Sequence, residues 1–195
     1  DITKKKIFDD LKYIFNYIGG YRNLYIKFFE DMEEFNFLET SSVTDNKDDL
    51  PSLYKEIKLY EHTINVVTQF LDIAKKDIQV QQNIDIYLII VLLHDFGKSH
   101  NLCNFYNINL EEEHCNRSAH YFKEIVLKYF KDEEILDNAS FTIIYGTLFN
   151  HHKILTEEEK KENPYYLKLI ESDKKARALE KSFLDNQREI SRNDG

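Results

Sequence analysis

A histidine and an aspartate stand side by side in Leu92-Leu93-His94-Asp95-Phe96-Gly97-Lys98, directly after a run of apolar side chains. Seven of the eight residues from Ile86 to Leu93 are aliphatic, with Tyr87 the exception. Such a run belongs in a core, and cores rarely hold an ionised carboxylate without a partner. If the run is a helix, the dipole at its C-terminus favours His94 and Lys98 but opposes Asp95. A cation beside Asp95 resolves that conflict. Imidazole with carboxylate is a ligand pair suited to Mn, Fe, Zn or Mg.

Six further histidines are available to such a cation. His62 lies at the border of an apolar arc that includes Leu59, Val66, Val67 and Leu71, so it can point into a cleft. His114 stands on the side of its segment that carries Ser118, Tyr121 and Ile125, whereas His120 falls on another face as a surface or packing residue. In Phe149-Asn150-His151-His152-Lys153, His151 continues the stripe of Phe141, Ile144 and Leu148, and His152 sits beside it. Asp173 follows Ile170 on a stripe that continues to Ala176 and Arg177. Taken singly, each of these is an ordinary packing residue at the edge of an apolar stripe.

These side chains must be carried by helices. With two prolines and five glycines in 195 residues, the chain lacks the turns of a sandwich or barrel, and its long segments have helical periodicity. Helices are expected at about 52–76, 84–96, 111–130, 138–152 and 164–184, after two N-terminal segments at 3–18 and 21–39. The segment 84–96 is rich in β-branched residues and reads also as a buried strand, but no partner strand is in sight. The polar stretch Thr40 to Asp49, followed by Pro51, is the best boundary. It divides a helical N-terminal extension (1–39) and a linker (40–50) from a main domain (51–195). The tail Ser191 to Gly195 is expected to fray.

The ordered set His62, His94-Asp95, Lys98, His114, His151-His152 and Asp173 resembles the HD superfamily of metal-dependent phosphohydrolases. That family's signature is an isolated histidine, an HD doublet often followed by x-Gly-Lys, and a late aspartate, each on its own helix of an all-α bundle. The likeness covers about residues 53–181 and implies that Asp95 is buried against metal. His62, His94, Asp95 and Asp173 match the mononuclear ligand set. Binuclear members, among them cyclic-nucleotide phosphodiesterases, HD-GYP proteins and the HD nuclease of CRISPR helicases, add histidines between doublet and aspartate. His114, in His-Cys-Asn-Arg-Ser-Ala, and the pair His151-His152 occupy such places. Asp95 would then bridge two ions. The glutamate that follows the histidine pair in HD-GYP proteins is missing, and no GYP motif follows, which argues against cyclic dinucleotide hydrolysis.

The resemblance implies metal-assisted hydrolysis of a phosphoester, with one or two divalent ions per chain (Mn, Fe, Mg, Ni or Zn). Asp95 and Lys98 are the catalytic candidates, and Lys98 and Arg177 the candidates for holding a phosphate. A net charge of −9 and a pI near 5.3 disfavour duplex nucleic acid, whose phosphates need concentrated Lys and Arg, and favour a small nucleotide. A single-strand nuclease domain is the other catalytic alternative. A catalytically silent HD module for ligand sensing or assembly in a larger protein is a third, and a chain beginning at Asp1 without methionine allows it. No apolar stretch is long enough to span a bilayer, and Cys103 and Cys115 read as reduced thiols of a cytoplasmic protein. Nothing in the sequence speaks to oligomeric state.

Overall fold

The apolar run ending at Leu93 is a helix. The computed structural model describes residues 2–44, 52–130 and 136–194, and among them are ten α-helices and no strand. In chain order these are α1 (Ile2–Leu11), α2 (Arg22–Glu34), α3 (Leu59–Ala74), α4 (Ile78–Gln82), α5 (Ile84–Leu93), α6 (His100–Phe105), α7 (His114–Tyr129), α8 (Asn138–Asn150), α9 (Glu157–Lys161) and α10 (Pro164–Asn193). Because α5 is apolar on every side, it must be enclosed on every side. Helices α3, α8 and α10 pack against it, and all residues from Tyr87 to Leu93 are buried.

The expected helices are all present, with shifted ends. A 3₁₀ turn at Ser52–Glu56 precedes α3, so that helix starts at Leu59 rather than about 52. The segment expected at 84–96 stops at Leu93 and gives way to a 3₁₀ turn at Phe96–Lys98. Short helices α4, α6 and α9 have too few residues for periodicity to reveal them, yet each has its cap. Asp77 accepts from Gln79 N and Val80 N, Ser99 accepts from Leu102 N, and Thr156 forms a capping box with Glu159. The last helix begins at Pro164 under an Asn163 cap and runs to Asn193, so most of the tail expected to fray is helical.

The N-terminal helices bury Ile7, Leu11, Leu24, Phe28 and Met32 in the same apolar cluster as α3, α5 and α7. Phe28 and Phe37 both meet the ring of Phe96 edge-on, with centroids 6.4 and 4.8 Å away. The turn bearing His94 and Asp95 therefore rests on the N-terminal segment. After α2 the chain crosses the start of α3, where Ser42 N donates to Ile57 O (2.8 Å) and Leu59 N to Thr40 O (2.7 Å). Residues 45–50 of the expected linker, and Pro51, lie outside the described residues.

Candidate metal centre

The two helix ends that carry histidines are built alike. His94 is the C-cap of α5 and His151 the C-cap of α8. Each folds its ring back so that Nδ1–H donates to a carbonyl three residues earlier, Val91 O and Leu148 O, both at 2.8 Å. Those carbonyls belong to the last helical turn and lack helix partners, so the ring closes the helix. The same bond fixes the tautomer, leaving the Nε2 lone pair aimed inward. Both Nε2 atoms are buried and have no hydrogen-bond partner. A buried nitrogen left that way in two places has an unmet need for a ligand.

Between them lies Asp95, 3% exposed. Its Oδ2 stands 3.5 Å from His62 Nε2 and 3.1 Å from His94 Nε2. Its Oδ1 stands 3.4 Å from His114 Nε2 and 4.0 Å from His151 Nε2. One carboxylate thus turns one oxygen to each of two histidine groups. Asp173 closes the first group, with Oδ1 2.8 Å from His62 Nε2 and 3.7 Å from His94 Nε2. His152, exposed at its outer edge, closes the second with Nε2 2.9 Å from His114 Nε2. Among the described residues these are the two groups able to hold a metal ion: His62, His94, Asp95 and Asp173, then Asp95, His114, His151 and His152. Within each, the donor atoms lie within 4.8 Å of one another. The seven candidate ligands come together from five places in the chain.

Electrostatics follow from this crowding. Burial raises the carboxyl of Asp95, but the charges of His94 and Lys98 beside it and the close rings of His114 and His94 prevail and hold it well below its ordinary value. Asp173 is likewise held low, its burial outweighed by His62 and His94. Burial lowers His94, yet the charges of Asp95 and Asp173 push it up to about 10. His151 goes the other way, held well below its usual value by burial and by the other histidines around it. A divalent cation among these groups would take over the balancing of the carboxylates and leave the imidazoles, His94 included, in the neutral form that ligates a metal.

Lys98 and Arg177 are near the centre but already engaged. Lys98 is 3% exposed, donates from Nζ to Ser42 O (2.7 Å) and lies 3.6 Å from Asp95 Oδ2. Arg177 donates from Nη1 to Ser42 Oγ (3.1 Å) and to Glu180 Oε1 (2.9 Å), and its guanidinium lies over the Tyr54 ring. The glutamate beside Arg177 is a buried one, and the arginine does not project into open space. His120 stands apart, paired with Glu112 at 3.0 Å and packed on Tyr145 and Phe149.

Three residues of the site escaped the sequence reading. Glu180, buried on α10, receives His62 Nδ1. Its spacing from Asp173, two helical turns, was the available signal. Ser118 Oγ accepts from Gly97 N (2.8 Å) and donates to His94 O (2.9 Å), tying α7 to the turn. Ser42 sits in an irregular segment, and no periodicity points to it.

A family model of the HD domain matches residues 59–185, well over half of the chain. The chain belongs to the HD domain family. No curated protein and no solved structure matches it. The matched span runs from the start of α3 through Asp173 and Glu180, and so includes both ligand groups. Among the described residues, no helix is long and apolar enough to cross a membrane.

Proposed function

We propose that the chain is a metal-dependent phosphohydrolase with a binuclear centre, acting on a small phosphoester of the nucleotide class. The observation that carries this is the division of Asp95, whose Oδ2 faces His62 and His94 while its Oδ1 faces His114 and His151. His62, His94, Asp95 and Asp173 would hold one ion, and Asp95, His114, His151 and His152 the other. Divalent ions in such a place supply Lewis acidity toward a phosphoryl group and lower the pKa of bound water.

The chain's own groups do the rest. His94 and His151 offer Nε2 because their Nδ1 protons are committed to backbone carbonyls. Asp95 is buried and kept ionised by the charges of His94 and Lys98 beside it, so the centre needs no proton release from it. Lys98 and Arg177 share Ser42 as acceptor. A phosphoryl oxygen taking the place of the Ser42 carbonyl would meet both cations, which then oppose the charge that grows there in the transition state. The acidic chain favours a small substrate over a long polyanion, whose binding needs many cationic contacts.

The test is metal analysis of the purified protein, then assay with Mn²⁺ of nucleoside mono-, di- and triphosphates, cyclic nucleotides and short single strands. Two ions per chain and hydrolysis of a nucleotide are expected. A metal-loaded protein that hydrolyses none of these is a silent HD module.

A further inference from the structure

His62 differs from His94 and His151 in what holds its far nitrogen. His94 and His151 each use a backbone carbonyl for Nδ1, a neutral acceptor supplied by their own helix. His62 Nδ1 instead lies 2.8 and 3.0 Å from the two oxygens of Glu180, a carboxylate from another helix. Glu180 is 2% exposed. Its oxygens also receive Asn65 Nδ2 at 3.0 Å and Arg177 Nη1 at 2.9 Å. Asn65 follows His62 by three residues on α3, and Arg177 precedes Glu180 by three on α10, so both helices grip the carboxylate from their own turns.

We infer that Glu180 is a positioning residue for the cation held by His62, an inference that rests on the metal centre proposed above. A neutral imidazole has one N–H. With that proton at Nδ1 toward Glu180, the Nε2 lone pair faces Asp95 and Asp173, the other ligands of its group. A carboxylate at Nδ1 also makes the ring a more basic ligand than a carbonyl does. Arg177 and Asn65 then act through Glu180, holding its carboxylate in the plane His62 requires. This gives Arg177 a task within the protein, in addition to any contact with phosphate. It also sets His62 apart from the C-cap histidine of each group: His62 has an anionic support behind its ring, whereas His94 and His151 have carbonyls.

The experiment compares wild-type protein with Glu180→Gln and Glu180→Ala. Zn²⁺ affinity is read by chelator competition and ring protonation by ¹⁵N NMR of histidine in the Zn²⁺-loaded protein. Glutamine keeps one acceptor oxygen and the side-chain volume, so Glu180→Gln guards against loss of the fold. We expect wild-type protein to show a His62 Nδ1–H resonance protected from exchange. Glu180→Gln should weaken one of two ions on the order of ten- to a hundredfold, leave the other near its wild-type affinity, and expose that proton to exchange. Glu180→Ala should weaken the same ion further. Unchanged affinity with an unchanged His62 resonance in Glu180→Gln overturns the inference while leaving the metal centre standing. Equal weakening of both ions, with the resonance unmoved, assigns Glu180 a merely structural part and overturns it too. Wild-type protein that binds no Zn²⁺ removes the metal centre itself, and this inference with it.

Discussion

A methyl carbon on Gly97 would lie 2.1 Å from the carbonyl oxygen of His114. It would also lie 2.7 Å from Ser118 N and 2.8 Å from Arg117 Cβ. Among the described residues no glycine has a positive φ, so Gly97 is needed for close approach and not for an unusual backbone. The first turn of α7 lies against the 96–98 turn, fastened by Gly97 N to Ser118 Oγ and by Arg117 Nε to Gly97 O (2.7 Å). Gly97→Ala should force the two backbones apart, at a cost of about 3 kcal/mol or more. Because His114 starts α7, the ion proposed for the His114 and His151 group should be lost first. Thermal melting and metal content of the variant check both parts.

Gly97 shows where sequence reasoning reached and where it stopped. The glycine could be read as the place where the chain leaves the helix, but its neighbour across the turn is 17 or more residues away, and no local pattern encodes that. The long helices were legible because burial imposes a period on Leu59 to Ala74 or Phe141 to Leu148. Helix ends were not, since a 3₁₀ turn and a helical turn differ little in residue preference. The candidate ligands only border such stripes, and their ordered set, through its likeness to the HD family, is what marked them. The engagement of Lys98 and Arg177 by Ser42 was hidden for another reason: Ser42 belongs to a segment whose path is set by tertiary hydrogen bonds.

Removing ligands should separate the two ions. His114 belongs to one group alone, so His114→Ala should lower metal content from about two ions per chain to about one. Asp95 belongs to both. Asp95→Ala should abolish metal retention and hydrolysis together, since either ion would face its partner histidines without a bridging charge. Elemental analysis after dialysis decides. Equal metal content in the two variants would contradict a shared Asp95.

Asp31 on α2 joins the N-terminal helices to the rest. Its Oδ2 accepts from Tyr106 Oη (2.7 Å) and Tyr121 Oη (2.6 Å), and Lys27 pairs with Oδ1 at 3.2 Å. Asp31→Ala leaves two phenol groups without their acceptor in a buried place, at a cost of roughly 2–4 kcal/mol. The loss should appear as a lower urea midpoint with the slope unchanged. Deleting residues 1–39 removes Phe28 and Phe37 as well. The shortened chain should fail to fold around His94.

The same tyrosines predict alkaline unfolding. Burial, and then the charge of Asp31, push Tyr121 well above its ordinary value, and burial, with Tyr165 and Asp77 adding, pushes Tyr87 up to about 12. The neutral phenol is the form the fold favours. Its contribution is therefore complete below pH 10 and is lost as pH rises from there through 12 and beyond. Phenolate absorbance should show the buried tyrosines titrating only in step with loss of helical circular dichroism. Titration of all thirteen tyrosines near pH 10 with helix intact would refute this.

Lys98 separates chemistry from metal binding. An ammonium cannot be a ligand, so Lys98→Ala should retain both ions. Ser42 O keeps a donor in Arg177 Nη2 at 3.4 Å, and the 40–44 segment stays fastened to α3, so the fold should survive. What is lost is the positive charge 3.6 Å from Asp95 Oδ2, at the edge of the proposed reaction centre. If that charge opposes the negative charge growing on the phosphoryl group, turnover should fall about a hundredfold, equivalent to about 2.7 kcal/mol of transition-state stabilisation. The fall should be in kcat, with KM changed less, because the interaction strengthens as the reaction proceeds. Lys98→Arg keeps the charge but not the compact head, and should recover part of the rate. A Lys98→Ala protein with two ions and full turnover would remove Lys98 from the chemistry and leave it as the clamp on Ser42.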